Sequence, residues 1–216
     1  MPSSILSHQA PALIIYNKYP KKFDVVAICL GTMVPDICLF FDIFTDGFFR
    51  NISHSFVGLF IWTLPFTILS TILFSKYIGP FLAGIAKSDF FLSKGLRYFG
   101  VDLWDKLKFR TFNKKFFIVA SYSALIGGLT HLLIDFPAHE NIELFYPFAL
   151  FKSSDILLVE LIDYGTIQIG SRTREIVLTV YNLIWAIESF VLIFPTLYYL
   201  RKIKVETIKI KKEMKK

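Results

Sequence analysis

The chain has 216 residues, of which 54% are hydrophobic and 19% are charged, and its mean hydropathy is +0.54. About a quarter of the residues of a soluble domain are charged, so this composition argues against a water-soluble domain and favours a compact multipass membrane protein. The net charge of +7 would indicate nucleic acid in a soluble protein, but in a membrane protein basic residues first mark cytoplasmic loops. Four His and two Cys exclude a disulfide framework and a cysteine-based zinc module. We expect Cys29 and Cys38 to be packing thiols.

Four stretches are apolar enough to cross a membrane, which takes about 20 residues because the hydrocarbon core is about 30 Å thick. The sequence therefore predicts an all-α fold, a polytopic membrane helix bundle of about four transmembrane helices with a short N-terminal half-helix at 5–16 and interfacial helices. Residues 90–110 mix aromatic and basic side chains, which suits either a helix against anionic lipid head groups or an ordinary basic loop. We assign 1–200 to a single integral membrane domain and 201–216 to a Lys-rich cytoplasmic tail. The four predicted spans are residues 24–44, 54–75, 116–137 and 176–200.

The charge of the connecting segments alternates in sign from one predicted span to the next. Residues 1–23 carry three basic residues and no acid, residues 76–115 carry nine basic and three acidic residues, and residues 201–216 carry eight and two. Residues 42–53 have a net charge of −1 and residues 138–175 of −3. The positive-inside rule then places both termini in the cytoplasm. Because the basic charge is spread over three segments next to the membrane, we expect membrane lipids as partners and no nucleic acid. The oligomeric state stays open.

Ionisable residues in or beside the spans are the candidate functional groups, because such groups are expensive in a membrane and normally face the bundle interior. His131 and Asp135 are four residues apart, so on a helix they project from one face, as the ligands of one metal ion can. The next proline should end that helix and let His139 bend back. The topology puts the outer ends of the first three spans together, so Asp36 and His54 can join these residues in one outward-opening pocket. The full candidate set is His8, Asp36, His54, His131, Asp135, His139 and Glu188.

Each candidate also has a structural interpretation. His131 and Asp135 can form a hydrogen bond that joins neighbouring helices. His8 reaches the pocket only if the helix at 5–16 ends near the middle of the bilayer, and a helix lying flat on the cytoplasmic surface would exclude it. Glu188 stands alone in the last span, where it can either support a ligand His from behind or bond between helices.

Three of the four His directly follow a hydroxyl residue. A hydroxyl beside a metal ligand can cap the start of a helix or hold the ligand in place from behind. We therefore include Ser53 and Thr130 as candidate supporting residues. The three pairs are Ser7-His8, Ser53-His54 and Thr130-His131.

Four motifs follow one another along the chain: SHQAPAL near the N-terminus, GTMVPD at 31–36, SHS at 53–55 and GGLTHLLIDFPAH at 127–139. Together and in this order they resemble a family of bacterial multipass membrane proteins known as domain of unknown function 4184. The early motif has Gln9 where the family usually has Pro. The resemblance implies a location in the bacterial cytoplasmic membrane and assigns the family's motif positions to His8, Asp36, His54, His131, Asp135 and His139.

The family in turn is distantly similar to membrane-bound metal-dependent hydrolases and to zinc-dependent phospholipase C. Mixed His and Asp ligands suit zinc or a similar divalent ion, with Asp36 or Asp135 as a general base. We therefore expect a metal-dependent hydrolase acting on a lipid-linked or phosphoester substrate. The alternatives are a non-catalytic protein whose His/Asp cluster is a structural metal or hydrogen-bond site, and, more weakly, an ion or metal transporter.

Overall fold

The structure is a computed structural model that describes residues 4–42, 45, 48–138, 143–148, 155–169 and 172–213. These residues are mostly helical, and they also form a two-stranded antiparallel sheet and two 3₁₀ helices, Val101–Phe109 and Asp155–Leu158. The α-helices of the described part are α1 (Ser4–Ser7), α2 (Gln9–Lys18), α3 (Val25–Gly31), α4 (Val34–Ile37), α5 (Leu39–Asp42), α6 (Phe48–Ser53), α7 (Phe56–Lys87), α8 (Ser93–Tyr98), α9 (Lys114–Ala138), α10 (Val180–Val191) and α11 (Ile193–Glu213). The strands are β1 (Glu160–Ile169) and β2 (Arg172–Thr179).

Among the described residues, three helical segments are long and apolar enough to cross a membrane. They are α7 with 32 residues, α9 with 25, and the 24 residues Val180–Ile203, which join α10 to the first half of α11. They correspond to the second, third and fourth predicted spans. The described part is thus mostly helical with three candidate membrane spans, and among its helices α9 contacts α2, α3, α7 and α10.

The first predicted span, 24–44, is not one continuous helix. It is divided into α3, α4 and α5, with turns at Thr32 and Cys38. Pro35 cannot donate a backbone hydrogen bond and clashes with the preceding helical turn, so a helix ends before it and a new one begins around it. The hydroxyl of Thr32 stabilises the first break by donating to the Cys29 carbonyl oxygen over 2.7 Å. The break places Asp36 on the short helix α4.

Helix α3 is fixed at its start by Asp24, which lies immediately before its first turn. The Asp24 carboxylate accepts a hydrogen bond from the Ala27 backbone N–H over 2.9 Å, and it forms an ion pair with Arg110. The Asp24 backbone N–H donates to Ser123 Oγ on α9 over 3.0 Å. A capping carboxylate satisfies a backbone donor that the helix leaves free. These bonds fix the position of α3 along α9.

Two glycines let α3 and α9 approach at backbone distance. A Cβ atom on Gly31 would lie 2.6 Å from the Ala124 carbonyl oxygen, and one on Gly127 would lie 2.3 Å from the Ile28 carbonyl oxygen. No side chain fits at such distances. Small residues at the contact of membrane helices permit this close packing.

The sheet corrects the all-α prediction. Strands β1 and β2 form a hairpin whose register shifts between Asp163 and Thr166. Gly165 lies in this irregularity with φ of 83°, a conformation that favours glycine, and its N–H donates to Asp163 Oδ1 over 2.7 Å. Strand β2 also includes residues 176–179, which the sequence predicts as the start of the last span. Ile and Thr occur in both strands and Val in β2, and these β-branched residues favour extended backbone.

The segment between α7 and α9 folds back against the ends of other helices. Its α8 and the 3₁₀ helix Val101–Phe109 occupy most of 90–110, for which the sequence left open an interfacial helix or a basic loop. Lys87 at the end of α7 pairs with Asp105 over 2.7 Å. Arg201 on α11 donates to the Tyr98 carbonyl oxygen over 2.6 Å, and its guanidinium lies 3.9 Å from the centre of the Tyr98 ring. The basic end of α7 and Arg201 within α11 therefore both contact this segment.

Candidate metal centre

Separate elements carry the candidate ligands to one point. His8 lies at the junction of α1 and α2, Asp36 in α4, and His54 between α6 and α7. His131 and Asp135 lie one turn apart on α9, as the four-residue spacing predicted. The break of the first predicted span is what lets Asp36 face α9, because a straight helix over 24–44 would have carried it farther along the bundle.

Four of these residues place one nitrogen or oxygen atom each within 4.8 Å of the other three. His54 Nε2 is 3.3 Å from His131 Nε2, 3.5 Å from Asp36 Oδ1 and 3.3 Å from Asp135 Oδ2. His131 Nε2 is 3.7 Å from Asp36 Oδ1 and 3.2 Å from Asp135 Oδ2. Ligands at about 2.1 Å from a tetrahedral ion are about 3.4 Å from one another. The four atoms therefore have the spacing that one divalent ion requires.

The chemistry of the four atoms also fits a metal. Two imidazoles and two carboxylates are ligands that zinc and similar divalent ions accept. The two carboxylates lie close together, and like charges at this distance need a cation between them. His131 is fully buried and Asp135 is 1% exposed. Water therefore cannot take the place of a cation in screening the repulsion between the two carboxylates. This arrangement can hold a metal ion.

His8 joins the same cluster but faces different atoms. Its Nε2 is 3.1 Å from Asp135 Oδ1, and its Nδ1 is 4.0 Å from Asp36 Oδ2. Its ring lies edge-on to His131, with 4.6 Å between ring centres. The half-helix predicted over 5–16 is divided at His8 into α1 and α2, and this junction lies at the cluster. The His8 nitrogens face Asp135 Oδ1 and Asp36 Oδ2, the carboxylate oxygens that are not part of the group of four atoms.

One side of the site, at Asp36, is more accessible than the rest. The side chains of His54 and Asp135 are 5% and 1% exposed, whereas that of Asp36 is 23% exposed. Ile37 and Phe40, which follow Asp36, are themselves exposed. Among the four residues, Asp36 is therefore the one that a molecule outside the protein can reach most readily.

The two candidate hydroxyl residues have different partners. Ser53 Oγ lies 2.9 Å from His54 Nδ1, so it contacts the ring nitrogen opposite the cluster, and the Arg50 carbonyl oxygen lies 3.2 Å from the same atom. Thr130 Oγ1 donates to the Gly127 carbonyl oxygen over 2.7 Å, within its own helix. Ser53 supports a candidate ligand directly, whereas this bond ties Thr130 to backbone.

Glu188 and Cys38 lie at the edge of the cluster. Glu188, on α10, interacts electrostatically with His8 and Asp135. Cys38, which we had interpreted as a packing thiol, interacts with the side chain of His54. Nothing in the sequence distinguishes this thiol from a packing residue, and it does pack in a core cluster with Val34 and Trp62. His139, the remaining predicted ligand, lies outside the described residues.

Comparisons with known proteins match the chain to one family model. No curated protein and no solved structure matches the chain. The family model is described as domain of unknown function DUF4184 and covers residues 1–213. The chain therefore belongs to the DUF4184 family.

Proposed function

We propose that the protein is a membrane-embedded metal-dependent hydrolase that acts on a phosphoester or a related bond of a lipid-linked substrate. The observation that carries this proposal is the group of four atoms from Asp36, His54, His131 and Asp135, which have the mutual spacing of metal ligands and one accessible side. A closed cage of protein ligands would have no such side.

The residues divide the work according to their burial. His54, His131 and Asp135 are buried and would hold the ion together with Asp36, and the ion would supply Lewis acidity that activates water and polarises the scissile group. Asp36 is the most accessible of the four, so it is the better placed of the two predicted carboxylates to accept a proton from attacking water. Zinc is the ion that the donor set suits best.

The surroundings of Asp36 favour a substrate with an apolar tail. Ile37 is 38% exposed and Phe40 is 73% exposed, and both follow Asp36 within four residues in the sequence. A lipid tail can pack on such side chains while its polar head group reaches the carboxylate. This surface supports a lipid-linked substrate over a small soluble phosphoester.

Metal analysis of the detergent-purified protein tests the shared site. We expect about one equivalent of zinc in the wild type and its loss in both His131→Ala and Asp36→Ala. Asp105→Asn, an acid distant from the cluster, is the matched control and should keep the metal. A well-folded wild type without bound metal would contradict the proposal.

A second function is favoured by the near-complete burial of His54, His131 and Asp135. In this alternative the cluster is a structural metal site that joins the helices. Two measurements separate the alternatives: thermal melting with and without chelator, and hydrolysis of a fluorescent phosphodiester that carries an acyl chain. A large loss of stability on chelation without any hydrolysis would indicate the structural role.

We also propose a location and partners for the protein. The three membrane-crossing candidates and the alternating segment charges support a place in the bacterial cytoplasmic membrane with both termini and residues 76–115 in the cytoplasm. Phe91 is 78% exposed and lies three residues before Lys94 in the sequence. Phe109 is 76% exposed, and the Lys108 ammonium lies over its ring. This mixture supports contact with anionic lipid head groups.

A further inference from the structure

His8 is placed between the two carboxylates of the cluster. Each carboxylate contributes one oxygen to the group of four atoms, Asp36 through Oδ1 and Asp135 through Oδ2. The other oxygen of each faces His8, since Asp135 Oδ1 is 3.1 Å from its Nε2 and Asp36 Oδ2 is 4.0 Å from its Nδ1. One imidazole ring therefore lies between the outer oxygens of both candidate ligands.

The ring is held in this position by its surroundings. His8 is 3% exposed, and its ring lies edge-on to His131. On one side of it in sequence, the Leu6 carbonyl oxygen accepts a hydrogen bond from Thr196 Oγ1 over 2.9 Å. On the other side, Gln9 Nε2 donates to the Cys29 carbonyl oxygen over 3.1 Å. The backbone around His8 is thus attached to α11 and α3, so the ring has little freedom to turn.

The geometry separates His8 from the four candidate ligands. The two nitrogens of an imidazole point in diverging directions, and in His8 only Nε2 is at hydrogen-bond distance from a carboxylate, that of Asp135, while Nδ1 faces Asp36 Oδ2 across 4.0 Å. A ligand would instead point one nitrogen at the centre of the four atoms, and His8 is not among the residues whose atoms all lie within 4.8 Å. Groups that hydrogen-bond to metal ligands fix the direction in which those ligands point.

We propose that His8 is a positioning residue that orients Asp135 towards the metal through its Nε2, with Asp36 facing the other side of the ring, and is not itself a ligand. This inference rests on the proposed metal centre. It differs from the role that the early Ser-His motif implied for His8, because the contribution of His8 passes through the carboxylates. Loss of His8 should weaken metal binding without changing the number or type of ligands.

The test compares wild type, His8→Ala, His8→Gln and His131→Ala, all purified in detergent. Competition with a chelator gives the affinity for Co²⁺, and the visible spectrum of bound Co²⁺ reports its coordination. We expect His8→Ala to bind one equivalent about 10–100-fold more weakly with an unchanged spectrum. The amide N–H of Gln can replace the Nε2 donor, so His8→Gln should recover most of the affinity. His131→Ala should lose the spectrum.

Three results would overturn the inference. The first is loss of the Co²⁺ spectrum in His8→Ala as complete as in His131→Ala. The second is a wild type with two bound ions, one of which is lost in His8→Ala. The third is His8→Gln binding Co²⁺ no better than His8→Ala. That result also includes the case in which substitution of His8 weakens Co²⁺ binding by misfolding. Because the readouts are affinity and spectrum, absence of hydrolysis in the wild type would contradict the proposed function alone.

Discussion

The hydroxyls of Ser53 and Thr130 both precede a candidate ligand in the sequence, yet they do different work in the structure. Ser53 Oγ lies 2.9 Å from His54 Nδ1 and so fixes the ring whose Nε2 faces the cluster. Thr130 Oγ1 bonds to the Gly127 carbonyl oxygen of its own helix. The sequence pattern of a hydroxyl before a His cannot separate these roles, because the separation depends on which way each side chain turns.

Removal of the two hydroxyls should therefore have unequal effects. We expect Ser53→Ala to weaken zinc affinity by about 10–100-fold, because His54 loses a partner that orients it. Thr130→Val keeps the side-chain volume and should leave zinc affinity unchanged, which makes it the matched control. Chelator competition on both purified variants gives the comparison. Equal affinities in the two variants would contradict the role given to Ser53.

The residues of the cluster could be predicted because charged and imidazole groups inside apolar segments are costly and therefore conspicuous. Asp36, His54, His131 and Asp135 were all identified in this way, and the structure brings them together. Cys38 carries no such signal, since a thiol in an apolar stretch is indistinguishable from a packing residue. Its proximity to His54 depends on the turn between α4 and α5, which is a tertiary feature.

Among the elements, the pairing of α3 with α9 depends on the two glycines at their contact. Gly31 and Gly127 each face a backbone carbonyl oxygen at a distance that leaves no room for a Cβ. The core of this contact is completed by Ala27, Phe116 and Ala120. Because α3 leads directly into α4, its distance from α9 also sets how far Asp36 lies from His131 and Asp135.

A methyl group at Gly127 should push the two helices apart. Its Cβ would lie 2.3 Å from the Ile28 carbonyl oxygen, so we expect Gly127→Ala to destabilise the protein by about 1–3 kcal/mol. Gly84→Ala is the matched control, because a Cβ there meets nothing within 4 Å and alanine favours a helix by about 1 kcal/mol over glycine. Unfolding in mixed micelles by titration with a denaturing detergent measures both. A Gly127→Ala variant as stable as Gly84→Ala would contradict the close approach.

Length and apolar content were sufficient to predict the three long helices, since those properties are local. They did not predict the break in 24–44, although Gly31 and Pro35 were visible, because membrane helices often continue through such residues. The hairpin was missed for a different reason. Residues 176–179 are apolar enough to extend the last span, and only pairing with β1 gives them an extended conformation.

At the scale of the whole molecule, the chain direction and the segment charges agree. Helix α9 runs from Lys114 to the cluster, and α7 runs from the cluster to Lys87, where Asp105 pairs with it. The hairpin precedes α10, whose span continues to Arg201 beside Tyr98. The basic segments therefore lie at one end of the long helices and the cluster nearer the other.

Cysteine labelling tests this orientation in whole cells. Lys94 and Thr166 are both exposed, the first in α8 and the second in β1, so each can be replaced by Cys without disturbing packing. A membrane-impermeant maleimide should label Thr166→Cys in intact cells and Lys94→Cys only after the membrane is permeabilised. The unsubstituted chain is the background control, because it contains Cys38, which is buried, and Cys29, which is partly exposed. Labelling of Lys94→Cys in intact cells would reverse the topology, and with it the outward opening of the metal centre, because Asp36 would then face the cytoplasm.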